Sequence, residues 1–252
     1  MIAGIPSRTP YQGLLEIFDY NRSFYLRTFA GAMAALLLSV YLALAPRILI
    51  LFAVGVALFW ICSSLLVSHY VYDRSKLYSL SWLPGCLSRV PRRWINIHAG
   101  IDECSAVIGS MFPGAKGQTI DIYDPRKMTE PSIKRARRAH GVSAPPAEPQ
   151  RLPVEDNYVD AAFLIFAAHE LRHPEDRVQL LREVARVLHI GGDLVLVEHL
   201  RDWANFFAFG PGFLHFFSKR TWVDAVNSAG LTIRLQTAVT PFVHVFVLQK
   251  QR

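Results

Sequence analysis

Leu152 to His199 reads LPVEDNYVDAAFLIFAAHELRHPEDRVQLLREVARVLHIGGDLVLVEH, and the order of its patterns decides the fold. Residues 161–168 (AAFLIFAA) are a near-continuous apolar run, as expected of a strand buried on both faces of a parallel sheet. His169-Glu170 stand at its polar end. Pro174-Glu175-Asp176 then open a helix, with a proline and acids where a helix N-terminus favours them. Val178, Leu181, Val184, Val187 and Leu188 follow at helical spacing. Gly191-Gly192 is expected to stop the helix, and Leu194 to Val197 is a second buried strand ending in Glu198-His199. Strand, helix and strand in this order predict a parallel α/β sheet, in which ligands bind outside the carboxyl ends of the strands.

The same pattern continues on both sides. Toward the N-terminus, Trp94 to Ile97 is a short apolar strand, and Gly100 to Glu103 turn into a helix of about ten residues. Gly117 to Tyr123 is a second strand carrying Asp121. Ser132 to His140 (SIKRARRAH) is a basic helix, followed by the Pro/Ala-rich loop SAPPAEP. Toward the C-terminus, a helix over Thr221 to Ala229 ends at Gly230, and strands near Thr232 to Ala238 and Val243 to Leu248 close the domain.

Thr28 to Pro46 and Ile48 to Ser68 contain no charged residue. A membrane helix needs about 20 mostly apolar residues, so the pair predicts a transmembrane hairpin turning at Pro46-Arg47. The apolar run starts too late and runs too long for a cleaved signal peptide. Arg8, Arg22 and Arg27 precede the hairpin, and Arg74, Lys76, Arg89, Arg92 and Arg93 follow it. The excess of cations at both ends puts both termini and the C-terminal domain in the cytoplasm, with the inner membrane of a bacterium as the expected location. Tyr20, Tyr25, Tyr70, Tyr72, Tyr78 and Trp82 suit an interfacial aromatic belt. The expected organisation is an N-terminal interfacial segment over 1–27, the hairpin over 28–70, an interfacial connector over 71–91 and an α/β domain over 92–252.

The chain has 252 residues, with 27 Lys+Arg against 20 Asp+Glu. The cations are spread out and flank apolar segments, which fits a juxtamembrane pattern better than a nucleic-acid surface, so no nucleic-acid partner is expected. Cys62, Cys86 and Cys104 show no paired or zinc-ribbon spacing and read as packing residues.

The domain resembles the class I S-adenosylmethionine-dependent methyltransferases, nearest the branch that modifies quinones and other small lipophilic molecules. LPVEDNYVDAAFLIFAAHEL is similar to that family's fourth-strand segment, and EVARVLHIGGDLVLVEH to the segment leading into its fifth strand. The resemblance implies a Rossmann-like, mostly parallel sheet and S-adenosylmethionine as cofactor, lying across the ends of the first strands. It implies that Asp121, followed by Ile122, receives the ribose hydroxyls, that Glu148 contacts the adenine, and that Phe166 and Ala167 flank the cofactor. The family's glycine-rich first motif corresponds to Ile95-Asn96-Ile97-His98-Ala99-Gly100-Ile101-Asp102-Glu103. Here Asn96 replaces an Asp, His98 and Asp102 replace glycines, and Gly100 keeps its place. His98, Ala99 and Gly100 are thus the candidate cofactor loop.

Methyl transfer is a displacement that needs positioning, and a base when the acceptor is a hydroxyl. His169, Glu170, Glu198 and His199, at two neighbouring strand ends, are the candidate catalytic residues. His98, His173 and His215 supply no compact ligand spacing with them, and no metal is expected. Asp102-Glu103 are expected to cap the first helix of the domain. The basic helix has an anionic lipid surface as a candidate contact. Phe206 to Phe217 (FFAFGPGFLHFF) is either a lid over an apolar substrate or an in-plane membrane contact. The expected activity is therefore methylation of a lipophilic small molecule or lipid-linked precursor at a membrane. The altered first motif leaves a methyltransferase-like scaffold without transfer activity, or other chemistry at the cofactor or a metal, as alternatives.

Overall fold

The computed structural model describes residues 8–141 and 144–250. Residues 1–7 of the N-terminal segment, 142–143 of the Pro/Ala-rich loop and 251–252 lie outside the described residues. Two long helices come first, α1 (Gln12–Ser39) and α2 (Leu44–His69), packed against each other across residues 40–43. Tyr41 and Leu42 close that turn by donating to the carbonyls of Leu38 and Ser39. The turn therefore falls before the expected Pro46-Arg47. Pro46 sits in the first turn of α2, where its missing N–H leaves no hydrogen bond unmade.

α2 runs on through a π turn (Tyr70–Arg74), and the 31 residues from Leu44 to Arg74 are long and apolar enough to cross a membrane. α1 departs from expectation. It begins at Gln12, runs straight through the expected boundary at residue 27, and carries Glu16, Asp19, Arg22 and Arg27 within its first sixteen residues. Its apolar half falls short of a span. Among the described residues, one helix rather than two meets the length criterion.

The base of the hairpin is fixed by Asp73. Its side chain is fully buried, and its carboxylate accepts from the N–H groups of Gly13 (2.6 Å) and Leu14 (3.0 Å), with His69 Nδ1 at 2.8 Å. These are two of the donors that the first turn of a helix leaves unpaired. The approach is close: a Cβ on Gly13 would lie 2.5 Å from the Cβ of Tyr72.

Beyond a short helix α3 (Leu83–Cys86), the domain alternates β1 (Arg93–His98), α4 (Ser105–Met111), β2 (Lys116–Asp121), α5 (Pro131–His140), β3 (Val159–Ile165), α6 (Pro174–Val187) and β4 (Leu188–Glu198). It ends with α7 (Trp203–Phe209), α8 (Lys219–Ser228), β5 (Leu231–Thr240) and β6 (Val243–Lys250). The six strands lie in the order β2-β1-β3-β4-β6-β5, parallel from β2 to β4 and antiparallel at β6 and β5. This is the mostly parallel, Rossmann-like sheet expected.

One local reading changes. Gly191-Gly192 does not end α6, which stops at Val187. The pair lies inside β4, where Gly191 has φ +75° and a Cβ on Gly192 would meet the Asp160 carbonyl at 2.9 Å. On the side of β2 away from β1, the described residues make a single bridge, Asp121 to Pro146, where Pro145, Pro146 and Pro149 cannot donate to a ladder.

The connector over 71–91 is part of the core. Side chains alternate across each strand, so Leu194 and Leu196 face one layer while Val195 and Val197 face the other. The first layer packs under α6 and α8. The second, with Phe163, Val245 and Val247, packs under Val71, Leu77, Leu80 and Leu83, all four fully buried. A parallel sheet needs cover on both faces, and α4, with only seven residues, is too short to supply it alone. Asp193 ties the far end of this strap down, accepting from Ser88 N–H (2.6 Å), Ser88 Oγ (3.0 Å) and Gln249 Nε2 (3.0 Å).

Gly13→Ala should therefore separate α1 from the end of α2 at a cost of about 1–3 kcal/mol, the usual penalty for overpacking. Hydrogen exchange is expected to rise over residues 12–27 and to stay low over β3 and β4. Unchanged exchange over 12–27 would show that the Asp73 clasp is dispensable.

Candidate functional site

The carboxyl ends of β1, β3 and β4 open into a cleft of about 240 Å³, and the first half of α1 roofs it. Tyr20, Tyr72 and Tyr78, expected at a membrane interface, line this cleft instead. Tyr78 donates to Glu103 (2.5 Å), and Arg8 reaches the same carboxylate (2.9 Å) while stacking over the Tyr78 ring. Burial, with Glu103 adding to it, pushes the Tyr78 hydroxyl well above its ordinary pKa, so it stays a donor.

Asp102 accepts from the N–H groups of Cys104 (3.2 Å) and Ser105 (3.0 Å) and so caps α4, as expected; Glu103 turns into the cleft. Asp102 also accepts from Asn96 Nδ2 (3.0 Å). Two of the three departures from the glycine motif thus satisfy each other: an acid in the turn is matched by an amide on the strand. His98 is 3 % exposed and fills the space beneath the turn, which leaves a void of only about 20 Å³ there. Gly100 takes φ +101°, a conformation that favours glycine.

Asp121 ends β2 with no exposed surface. Its carboxylate accepts from Gly100 N–H (3.0 Å) and Tyr123 N–H (3.0 Å), and pairs with Arg137 Nη1 of α5 at 2.5 Å. Arg137 also stacks on the Tyr123 ring at 4.5 Å. The acid expected to receive a ribose is therefore held by an arginine of the basic helix. Ile122 is buried in the core, and Ala147 donates to the Asp121 carbonyl, so Glu148 lies exposed one residue beyond. Phe166 has φ +52° and turns the chain at the end of β3. It lines the cleft together with Ala99, while Ala167 packs into the core.

The four candidate catalytic residues divide into two groups. Glu198, 1 % exposed, accepts from the backbone N–H of His169 (3.2 Å), and its other oxygen lies 2.7 Å from His169 Nδ1. Glu170 lies 3.1 Å from His169 Nε2. Burial opposes charge on this ring, but Glu198 and Glu170 outweigh it and raise the His169 pKa well above its usual value. His169, Glu170 and Glu198 thus form one cluster. His199 departs from expectation. Its Nδ1 meets the Phe242 carbonyl (2.8 Å) and its Nε2 the Tyr72 hydroxyl (3.0 Å), with Phe166 and Phe216 stacked on its faces at 4.9 and 4.8 Å. Both nitrogens are taken, and burial lowers its pKa to about 4. It is a neutral strut.

Spacing in the sequence did not reveal His215. The turn after α7 brings it to His169, with ring centroids 5.3 Å apart, and ligand atoms of His169, Glu170 and His215 lie within 4.8 Å of one another. The only sequence signal was the histidine inside the aromatic run. His173 is the N-cap residue of α6, and His98 sits under the β1 turn.

A second cavity of about 780 Å³ adjoins the cleft, and Ile17, Tyr72, Glu170 and Phe216 line both. Its walls are apolar faces of α1 and α2 (Phe24, Val56, Ala57, Trp60) and the segment Phe209 to Phe216. The aromatic run is docked on α2: Trp60 meets Phe206 edge to face at 5.6 Å, Ser63 donates to the Phe207 carbonyl, and Gly210 sits against Trp60 where a Cβ would come within 2.5 Å. Trp203, Phe207 and Leu214 stay exposed.

Residues 118–196, which hold most of β2, α5, β3, α6 and most of β4, match the family model described as a methyltransferase domain. The α/β domain has the Rossmann-like fold of the class I S-adenosylmethionine-dependent methyltransferases. No curated protein matches the chain by sequence. Among solved structures, the α/β domain is similar in fold to a SAM-dependent methyltransferase from Aquifex aeolicus, with 19% identity over 71% of this chain and 94% of that one and a TM-score of 0.51. The mitomycin 7-O-methyltransferase MmcR (13% identity, TM-score 0.58) and the pyocyanin biosynthetic protein PhzM (14%, 0.55) each align over 97% of this chain and over 74% and 77% of their own. These two likenesses, which are of fold, take in the N-terminal helices as well.

S-adenosylmethionine fits the acid at the end of β2, the Gly100 turn and the cleft walls, on one condition: Arg137 must give up Asp121. Arg137→Ala is therefore expected to lower the melting temperature of the free protein and to enlarge the rise that S-adenosylhomocysteine produces. Asp121→Ala should remove that rise. An Arg137→Ala protein whose response to the ligand equals wild type would refute the competition.

His199 gives an acid limit. Its folded pKa lies below the unfolded value, so its contribution is present above about pH 6.5 and is lost as pH falls toward 4, on the order of 3 kcal/mol in all. Thermal melts at decreasing pH should show a shallower decline for His199→Gln than for wild type.

Proposed function

We propose that the protein transfers a methyl group from S-adenosylmethionine to an oxygen of a lipophilic small molecule or lipid-linked precursor, at a membrane surface. The observation that carries this reading is the continuity of the two cavities: an apolar chamber walled by the hairpin and the aromatic segment leads to the polar cluster at the strand ends. An acceptor with an apolar body and a polar head matches both parts. When bound, S-adenosylmethionine supplies a methyl on a sulfonium that a nucleophilic oxygen can displace.

The chain's own residues supply position and enclosure. Asp121 holds the ribose once Arg137 releases it. Arg8, Glu103 and Tyr78 offer a cation, an anion and a hydroxyl within the cleft, the complement an amino-acid moiety needs. His169, oriented by Glu198, and Glu170 face the acceptor head. α1 and the aromatic segment exclude water, which strengthens each of these polar contacts. α2 anchors the domain, and the exposed Trp203, Phe207 and Leu214 extend the contact in the plane of the lipid. The distribution of arginines supports a cytoplasmic location for the domain, and Lys134, Arg135 and Arg138 favour anionic lipid.

A scaffold role without transfer is the second reading, supported by the filled turn at His98 and Asp102 and by the Arg137–Asp121 pair. Calorimetry separates the two. Micromolar to millimolar binding of S-adenosylhomocysteine by Arg137→Ala protein in detergent supports the enzyme, and no binding by either wild type or variant supports the scaffold. For the chamber, Ala57→Trp should raise KM for an apolar acceptor such as a long-chain phenol about tenfold or more while leaving cofactor affinity unchanged; an unaltered KM would remove the chamber from the acceptor's path.

A further inference from the structure

We infer that His169, Glu170 and His215 form a binding site for one divalent transition-metal cation at the partition between the cleft and the chamber. The inference rests on the proposed function only for what the cation would do there. The site itself rests on four observations.

The first is proximity. One ligand atom from each of the three side chains lies within 4.8 Å of the other two. They come from separate segments, the 3-10 turn at Ala168–Glu170 and the 3-10 turn at Gly210–His215. The second is how the rings are held. Glu198 lies 2.7 Å from Nδ1 of His169, and Glu130 lies 3.2 Å from Nδ1 of His215. In each imidazole a carboxylate fixes the Nδ1 side and leaves Nε2 as the ligand atom. This carboxylate–histidine pairing orients and strengthens histidine ligands in metal sites, and here it occurs twice.

The third is the frame. Arg172 donates to the His169 carbonyl (3.1 Å) and the His215 carbonyl (2.7 Å), locking the two turns in register, and it stacks over Phe217. The fourth is access. His169 lines the cleft, His215 lines the chamber and Glu170 lines both. Three protein ligands leave a coordination position open, and that position faces the path between the two cavities.

Two imidazoles and a carboxylate suit zinc, iron(II), cobalt(II) or manganese(II) better than magnesium or calcium, which prefer all-oxygen sets. Glu130, Glu170 and Glu198 bring negative charge to balance a dication. An oxygen of the acceptor would occupy the open position, where the cation lowers its pKa. The open position then also selects the acceptor, because an apolar head group has nothing to offer the cation.

Untagged full-length protein in detergent, stripped with a chelator, is titrated with Co²⁺ and followed by its visible ligand-field absorption. One Co²⁺ per chain is expected, displaced by Zn²⁺. Glu130→Gln should weaken binding by about 10- to 100-fold, as loss of an outer-shell partner does, and His215→Ala by more. His215 is part-exposed, so the fold should tolerate its loss, and S-adenosylhomocysteine binding by calorimetry checks that. Absence of the absorption in wild type, or its persistence at full affinity in His215→Ala, would overturn the site. Co²⁺ binding that depends on His215, in a protein that binds no S-adenosylhomocysteine as wild type or as Arg137→Ala, would keep the site and reject the methyltransferase reading.

Discussion

The Asp73 carboxylate holds the molecule's two halves together. It sits where α2 ends, and it satisfies the first N–H groups of α1 while facing His69. A buried carboxylate without partners would be costly, so the charge and the helix end stabilise each other only when α1 lies across the sheet. Everything above the strand ends follows from that placement. α1 roofs the cleft, its inner face becomes one wall of the chamber, and Arg8 is carried to Glu103. A single local cap thus sets the distance between an apolar hairpin and a polar site.

The cofactor turn shows how a motif can change without leaving a defect. A glycine turn exists so that backbone can approach a ligand. In this chain the side chain of Asp102 caps α4, Asn96 answers it from β1, and His98 takes the volume below. Asp102 takes the backbone donors of Cys104 and Ser105, and Asp121 takes that of Gly100. What persists from the ligand-binding arrangement is the part that a parallel sheet itself creates: an acid at the end of β2, a left-handed glycine after β1 and a cleft over β1, β3 and β4.

Much of this was legible in the sequence. The apolar runs of β3 and β4, the helical spacing of α6 and the acid ending β2 depend on local periodicity, and they fell where read, within a few residues. Asp102 was also recognisable as a cap, because capping is a local interaction. The misreadings have one cause: they concern residues whose partners are far along the chain. Leu77, Leu80 and Leu83 read as interfacial because nothing nearby told that β3, β4 and β6 would lack a helix on that face. Tyr72 and Tyr78 read as a belt because aromatic residues beside an apolar helix usually are one; their hydroxyls instead meet His199 and Glu103. His199 looked as promising as His169, and only the two stacked phenylalanines and the Phe242 carbonyl separate a strut from a reactive ring. His215 joined the cluster through a turn that no spacing rule describes.

The Arg137–Asp121 pair has a consequence for occupancy. A ligand that needs Asp121 binds only the fraction of molecules in which the pair is open, and its apparent affinity falls in proportion to that fraction. If about one molecule in a hundred is open, the cofactor binds about a hundredfold more weakly than the exposed site would bind it. The same factor applies to the cofactor before and after it has lost its methyl, so it leaves the barrier of the chemical step untouched. It sets instead a threshold of supply, below which the domain stays empty. Arg137 lies on α5, so whatever moves that helix adjusts the threshold.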